Sequence, residues 1–399
     1  MKTKSSLHRV VLLRLLPLYS AAFFQGFVLW YAIEKLFMRS IGFNDIGIGF
    51  MVAAYSAVML FVETPSGILA DRWSRKGVLV IASISLALSG VIGGFSTEPT
   101  LYILAALLWG VFFAFYSGTY DSLIYDTILE ITGKSAEYEK YYGYVRFIDS
   151  IALVIGAILG GIFGQLIGLS AVYIWSAPFA LLALICLWFY KEPQLHKAHA
   201  LGSIKEHVIK TALLVFRRRT LVRLLIIVVL ISLLQELLYE FSQLWLIALV
   251  LPPALFGPAF AVVLSALGLG GLLAGWFGKY RRVSVVTALS VLAISSLCLA
   301  LVHSIIAIVI AQVAIGLSVV FLSILFMKDL HDSLPSDIRA SASSTVSTLS
   351  RLILIPFALL FGAVSTHFGI FTAAWIMVGV SVYIILGTLF PQLLGETRK

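Results

Sequence analysis

The feature that most constrains the fold of this chain is a series of apolar stretches, each long enough to cross a lipid bilayer. A helix needs about 20 apolar residues to span roughly 30 Å of hydrocarbon. Of the 399 residues, 61% are hydrophobic and only 12% are charged, which excludes a soluble enzyme of this length. We predict twelve membrane-spanning helices. Their ranges are 12–37, 46–70, 78–96, 101–128, 144–166, 171–190, 221–251, 256–277, 284–302, 305–326, 341–364 and 370–390.

A hydrophilic connector divides these helices into two sets of six. We expect an N-terminal six-helix bundle at 1–190, a cytoplasmic linker at 191–220 and a C-terminal six-helix bundle at 221–399. Basic residues gather in this linker and in alternate short loops, and positive charge is retained on the cytoplasmic side. Both termini are therefore predicted to be cytoplasmic. The formal net charge of +9 then reflects membrane orientation, and no nucleic-acid partner is expected.

The two halves of the chain show weak sequence matches in a common order. Gln25 matches Gln235, Gly110 matches Gly316, and the nearby Asp126 matches Asp332. Such an order indicates internal repeats. We therefore predict an all-α membrane protein with twelve transmembrane helices in two pseudo-symmetric bundles, whose seam can open to either side of the membrane.

Residues 67–76, at the end of the second predicted helix, read Gly-Ile-Leu-Ala-Asp-Arg-Trp-Ser-Arg-Lys. This segment resembles the G-x-L-a-D-r-x-G-R-[KR] signature of the major facilitator superfamily, except that Ser74 replaces a glycine. The resemblance implies the major facilitator fold and a latch that closes the cytoplasmic side in the outward-facing state. A plain positively charged loop is the alternative. The resemblance assigns the latch to Gly67, Asp71, Arg72, Arg75 and Lys76.

A glycine-rich segment on the fifth predicted helix contains Gly156, Gly160 and Gly161, which we expect to allow close helix packing. It resembles the glycine-rich motif of drug:proton antiporters but lacks the central proline. The arginine that such transporters often carry four residues before a glycine is also absent, since Ala106 precedes Gly110. Any coupled proton must then bind to other side chains.

Ionisable residues inside spanning helices are costly and usually face a cavity or a partner. On the seventh predicted helix, Glu236 and Glu240 share one face with Tyr239 and lie beside Gln235. A carboxylate at this depth can carry a proton or pair with a cationic substrate. The alternative is a carboxylate that hydrogen-bonds between helices and only fixes their packing. We expect Glu236, Glu240, Tyr239, Gln235 and its repeat partner Gln25 to bind substrate or protons.

Three further ionisable residues are candidates for the same role. Asp121 lies inside the fourth predicted helix, and Glu34 lies in the first, where its neighbour Lys35 either neutralises it or extends to the interface. Arg351, on the eleventh predicted helix, needs a counter-charge, and Glu63 on the second is one possible partner. On the fifth helix, Arg146 and Asp149 are three residues apart, so we expect a local ion pair there.

No catalytic constellation, P-loop or metal-binding pattern is found in the sequence, so we predict neither enzymatic activity nor a cofactor or metal. We expect a monomeric secondary transporter in a bacterial plasma membrane, with a small molecule, protons and the lipid bilayer as partners. Proton-coupled export of lipophilic or cationic compounds is our first hypothesis. Uptake of a metabolite or organic anion bound by Arg351 is the alternative. A non-transporting scaffold or a membrane enzyme is a remote third.

Overall fold

A computed structural model describes residues 4–134, 138–193, 219–334 and 339–389. Most of the predicted linker, and the side chain of the predicted latch residue Asp71, lie outside the described residues. In the described ranges, eleven helical stretches are long and apolar enough to cross a membrane. One of them, Pro253–Leu301, contains two helices joined by a short 3-10 turn, so each of the predicted spans has a counterpart. The prediction of an all-α membrane protein is confirmed.

The described part of the first half of the chain contains eight α-helices. They are α1 (Lys4–Gly26), α2 (Glu34–Ser40), α3 (Asp45–Arg72), α4 (Arg75–Phe95), α5 (Pro99–Tyr116), α6 (Thr119–Thr132), α7 (Tyr138–Ile167) and α8 (Leu169–Phe189), with a 3-10 turn at Leu29–Ile33 between α1 and α2. The described part of the second half contains six more. These are α9 (Arg219–Ala248), α10 (Pro253–Phe277), α11 (Arg281–Leu301), α12 (Ile305–Asp332), α13 (Arg339–Phe368) and α14 (Ile370–Leu389), with a 3-10 turn at Gly278–Tyr280.

Two of the spans predicted as continuous helices are broken. The first consists of α1, the 3-10 turn and α2, because the backbone at Val28 is extended, with φ −98° and ψ 98°. The fourth consists of α5 and α6, because Gly118 adopts φ 73° in the left-handed region that favours glycine. Broken helices are tolerated in membranes where neighbouring protein satisfies the freed backbone groups.

Two compact units make up the chain. The first comprises residues 1–43, 54–200 and 252–261, and the second comprises residues 44–53, 201–251 and 262–399. The first unit thus contains most of residues 1–190 and the second most of residues 221–399, while a ten-residue segment at the start of α3 lies in the second unit and one around the start of α10 lies in the first.

In the first unit, α4 packs against α5 and α8, and α1 packs against α7 and α8. Glycines on α7 permit close approach of backbone: a Cβ at Gly156 would lie 3.2 Å from the nitrogen of Val28, and one at Gly160 would overlap the carbonyl oxygen of Leu29. A Cβ at Gly161 would lie 2.6 Å from the nitrogen of Gly257 in α10. These three glycines therefore lie where the sequence pattern predicts tight packing.

In the second unit, α9 packs against α12, α13 and α14, and α11 packs against α12 and α14. The start of α3 is held against α13 by two hydrogen bonds. Ser365 donates to the Asp45 carboxylate at 2.7 Å, and the backbone nitrogen of Ile46 donates to Thr366 Oγ1 at 2.8 Å. Helices α9, α12 and α13 also line a cavity.

Candidate functional site

A cavity of about 730 Å³ lies among α9, α12 and α13 within the second unit. It combines apolar walls with carboxylate, guanidinium, ammonium, imidazole and hydroxyl groups. Its lining residues are Val228, Ser232, Gln235, Glu236, Ser323, Ile324, Met327, Lys328, His331, Asp332, Val346, Ser347, Ser350, Arg351 and Leu354. The composition suits a small molecule that has both apolar and charged parts.

Three of the predicted site residues, Glu236, Gln235 and Arg351, line this cavity together. The Glu236 carboxylate lies within electrostatic range of the Arg351 guanidinium and also of the Glu240 carboxylate, one turn further along α9. An acid and a base from two different helices therefore meet at one cavity wall. A proton or a charged ligand that enters the cavity would change the electrostatic interactions of Glu236 with Arg351 and Glu240.

Two other predicted residues of α9 are buried next to this wall. Glu240 is 7% exposed and Tyr239 is 9% exposed. The Tyr239 hydroxyl interacts electrostatically with Glu236, and no hydrogen-bond partner for it is found among the described residues. A buried hydroxyl without a partner is costly, so such a group is a candidate to bind a ligand atom.

Sequence reasoning missed Lys328 and His331, which share the cavity with Glu236. Lys328 forms a 2.9 Å salt bridge with Asp332, and both side chains are largely exposed. His331 hydrogen-bonds Ser343 Oγ through Nε2 at 2.9 Å. The sequence does contain a pattern that indicates them. Lys328, His331 and Asp332 follow the apolar part of α12 at a spacing that places them on one helix face.

Glu34 lies in the first unit and is not part of this cavity. Its carboxylate accepts a 2.5 Å contact from the Lys35 ammonium and a 3.1 Å hydrogen bond from the Tyr102 hydroxyl, which also bonds Tyr173 at 2.8 Å. Glu34 and Lys35 are only 5% and 1% exposed. Lys35 thus neutralises Glu34 and does not extend to the interface. The Trp30 ring stacks on the ring of Tyr173.

Gln25 and Asp121 occupy different places in the first unit. The buried Gln25 amide accepts from the Tyr120 hydroxyl at 2.6 Å and donates to Ser83 at 2.7 Å, whereas its repeat partner Gln235 lines the cavity of the second unit. Asp121 lies in the first turn of α6, just after the break at Gly118, and its carboxylate interacts electrostatically with Tyr142. The structure does not bring either residue to Glu236.

The predicted latch residues surround the turn between α3 and α4. Arg75 forms an ion pair with Asp126 of α6, and Lys76 donates to the carbonyl oxygen of Tyr190 at 2.8 Å. Arg72 is exposed. No described atom lies within 4 Å of the position that a Cβ on Gly67 would take, so this glycine makes no close helix contact there. The latch turn is thus tied to α6 and α8.

Ser74, which departs from the signature, has a structural role of its own. Its side chain caps α4 by accepting from the nitrogen of Gly77 at 2.8 Å. Glu192, which sequence reasoning did not select, accepts from the Ser74 hydroxyl at 2.6 Å and from the Arg75 nitrogen at 2.7 Å. A carboxylate at a helix N-terminus is stabilised by the helix dipole.

An ion pair in the second unit corresponds to the one between Arg75 and Asp126. Arg281, at the start of α11, contacts Asp329 of α12. The repeat comparison matched Asp126 with Asp332 instead, one turn away from the residue that forms the pair. Asp329 is distant in sequence from Arg281 and belongs to the neighbouring helix.

Among the residues that the structure describes, no group of three or more His, Cys, Asp or Glu side chains could hold a metal ion. The polar side chains that line the cavity include both acids and bases. Such an arrangement can bind a ligand and a proton by electrostatics and hydrogen bonds, without covalent chemistry.

Comparison with curated proteins finds resistance proteins among the relatives. Multidrug resistance protein 2 of Bacillus subtilis (strain 168) is 26% identical over 183 residues, which cover 45% of this chain and 44% of that protein. Tetracycline resistance protein, class H, of Pasteurella multocida is 21% identical over 150 residues, which cover 38% of this chain and 36% of that protein. The match therefore spans less than half of the length of either relative.

Solved structures match over nearly the whole chain. A mutant of the nucleoside transporter NupG superposes with a TM-score of 0.80 at 17% identity, over 95% of this chain and 99% of that one. A bacterial homologue of the human lysosomal transporter Spinster, in an inward-facing and unoccupied conformation, gives 0.71 at 16% identity, over 98% and 97%. These likenesses confirm the predicted fold. The family model for the Major Facilitator Superfamily matches residues 15–355, and the chain therefore belongs to this family of membrane transporters.

Proposed function

We propose that this transporter exports small lipophilic or cationic compounds in exchange for protons, by alternating access. The observation that carries the proposal is the position of Glu236: a carboxylate in the middle of a spanning helix that lines a cavity of about 730 Å³. Ligand pockets in proteins typically measure about 300–1,000 Å³, so the cavity has room for a drug-sized molecule.

The surroundings of Glu236 support the exchange of a proton for a cationic ligand at its carboxylate. An ionised carboxylate inside a membrane protein must be neutralised by a proton, a base or a cationic ligand. Arg351 and Glu240 both lie within electrostatic range, so the acids outnumber the base in this immediate group. A proton or a cation that reaches Glu236 reduces the same excess of negative charge. The two are then competitors, which is the requirement for antiport.

The buried Tyr239 hydroxyl supports ligand binding next to Glu236, because its hydrogen-bonding capacity is unused among the described residues. Apolar walls at Val228, Ile324 and Leu354 suit the lipophilic part of such a ligand. The names of two relatives, multidrug and tetracycline resistance proteins, also favour export of foreign compounds. We further propose a monomer in a bacterial plasma membrane with both termini cytoplasmic.

A second candidate function is the uptake of an organic anion. Arg351, Lys328 and His331 all line the cavity, so the charges of Arg351 and Lys328 and a hydrogen bond from His331 could bind a carboxylate or phosphate group. This function makes Arg351 the residue that contacts the substrate, and Glu236 only its counter-charge. Charge-neutral replacement of Glu236 would then leave transport in place, whereas Arg351→Lys would abolish it, because a lysine cannot make the bidentate contact.

The test uses purified protein in proteoliposomes with an imposed pH gradient and a panel of organic cations, neutral drugs and organic anions. We expect at least one lipophilic cation to move protons, and we expect Glu236→Gln to abolish this coupled movement. Glu98→Gln, which removes an exposed acid in a short loop, is the control and should behave as the unmodified protein. Coupled movement that survives Glu236→Gln but not Arg351→Lys would support the second candidate instead.

A further inference from the structure

Asp149 is an intramembrane acid that the proposed function does not use. It lies in the spanning helix α7 of the first unit, where its carboxylate interacts with the Tyr116 hydroxyl. Helix α1 passes close by: a Cβ on Gly26 would be 2.5 Å from Asp149 Oδ1 and 3.1 Å from its backbone oxygen. The carboxylate therefore lies close to α1 and α5 as well as to its own helix.

The expected ion pair between Asp149 and Arg146 is not formed. In the described part of the chain no salt bridge joins them, although they attract each other over a longer distance. The Arg146 side chain turns the other way along α7, where its Nε donates to the Tyr142 hydroxyl at 2.9 Å and its guanidinium covers the Tyr142 ring at 5.4 Å. Tyr142 in turn interacts electrostatically with the Asp121 carboxylate of α6.

Arg146 thus has two places to bind, one on each side along the same helix. Tyr142 lies four residues before it and Asp149 three residues after it, and both spacings bring side chains together on a helix surface. The ionised form of an intramembrane carboxylate is costly without a paired base. An arginine bound at Tyr142 is therefore compatible with a protonated Asp149, and an arginine bound at Asp149 is compatible with the ionised acid.

The other groups that interact with Asp149 are tyrosines, so Arg146 is the charged side chain that can respond when Asp149 gains or loses a proton. Tyr116 comes from α5, and Tyr120 of α6 also interacts electrostatically with Asp149. The Tyr120 hydroxyl is already committed, since it donates to Gln25 of α1 at 2.6 Å. Neither tyrosine carries a charge near neutral pH. Arg146 is the only cation that acts on Asp149 among the described residues.

We propose that Asp149 is a second proton-binding site and that Arg146 is its switch. Loss of the proton draws the guanidinium from Tyr142 to Asp149, and uptake of the proton releases it again. Movement of Arg146 then weakens or restores the contact between α7 and the first turn of α6, directly after the helix break at Gly118. The inference rests on the proposed proton coupling, and it provides the first unit with a proton site of its own.

Infrared difference spectroscopy of the purified full-length protein, titrated with acid and base, tests the proposal without any substrate. The C=O stretching band of a protonated carboxyl group disappears when the group ionises. We expect one aspartate band, identified by ¹³C labelling of aspartate carboxyl groups, to be absent in Asp149→Asn. We also expect Arg146→Gln to retain this band to a higher pH, by about one unit, because a base that favours ionisation is removed.

Three results would overturn the proposal: no aspartate band in the unmodified protein, a band unchanged in Asp149→Asn, or a band whose pH dependence is unchanged in Arg146→Gln. Labelling keeps the test valid if Asp149→Asn does not fold, because the aspartate band and its response to Arg146→Gln are still measured. Glu98→Gln is the control and should leave the aspartate bands unchanged. Glu236 contributes a glutamate band instead, so loss of that signal alone counts against the proposed function and not against Asp149.

Discussion

Four glycines along α7 provide a graded test of how closely this helix approaches its neighbours. A Cβ at Gly143 would meet no described atom within 4 Å, and one at Gly156 would lie 3.2 Å from two backbone atoms of Val28. A Cβ at Gly161 would lie 2.6 Å from a backbone nitrogen, and one at Gly160 would overlap a backbone oxygen. Since an unstrained contact is about 3.5 Å, the backbones must separate by about 0.3 Å at Gly156 and about 0.9 Å at Gly161.

The expected stabilities follow from two opposing effects. Alanine gains about 1 kcal/mol over glycine inside a helix, whereas overpacking costs about 1–3 kcal/mol. We expect Gly143→Ala to be neutral or stabilising, Gly156→Ala to be close to neutral, and Gly161→Ala to lose about 1–2 kcal/mol. Gly160→Ala should lose more than any of these, because a carbonyl oxygen of the main chain cannot move aside as a side chain can.

The assay is the apparent midpoint of thermal unfolding for each purified variant in one detergent, with Gly143→Ala as the matched control on the same helix. The order of midpoints should follow the order of the contacts. A Gly160→Ala protein that unfolds at the same temperature as Gly143→Ala would refute the reasoning, since it would mean that α7 does not lie against the 3-10 turn.

Two further predictions concern buried charges of the first unit. Lys35→Met should lower the unfolding free energy by about 3–5 kcal/mol, because Glu34 loses its ammonium partner; the double variant with Glu34→Gln should recover much of this loss in the same thermal assay. Arg75→Gln and Asp126→Asn should each slow transport, and the double variant should be no slower than either single one, because both remove the same ion pair. Strictly additive effects in transport rates would show that the two residues act separately.

Much of the fold was predictable because the bilayer imposes a length on every spanning helix. A charge inside a long apolar stretch is equally conspicuous, which is why Glu236 and Arg351 could be selected from the sequence. The helix breaks were not predictable, since a glycine such as Gly118 is also tolerated within a continuous spanning helix. Whether its φ becomes positive depends on the packing of α5 and α6.

Side-chain pairing was harder to predict than the spans. Asp329 and Asp332 lie one helical turn apart near the end of α12, and only the position of Arg281 on the neighbouring helix determines which of them forms the ion pair. The spacing of Arg146 and Asp149 allowed a local pair, but Tyr142 competes for the same guanidinium. Sequence spacing defines which partners are within reach, and tertiary contacts decide between them.

The central claim is that a proton and a cationic substrate compete for Glu236, and proton release on binding tests it most directly. A lipophilic cation that the transport panel identifies is added to purified protein in a weakly buffered solution at neutral pH, and the released protons are measured with a pH indicator. The account predicts proton release that saturates together with cation binding and that disappears in Glu236→Gln. Binding of the cation without proton release, or release that persists in Glu236→Gln, would contradict it.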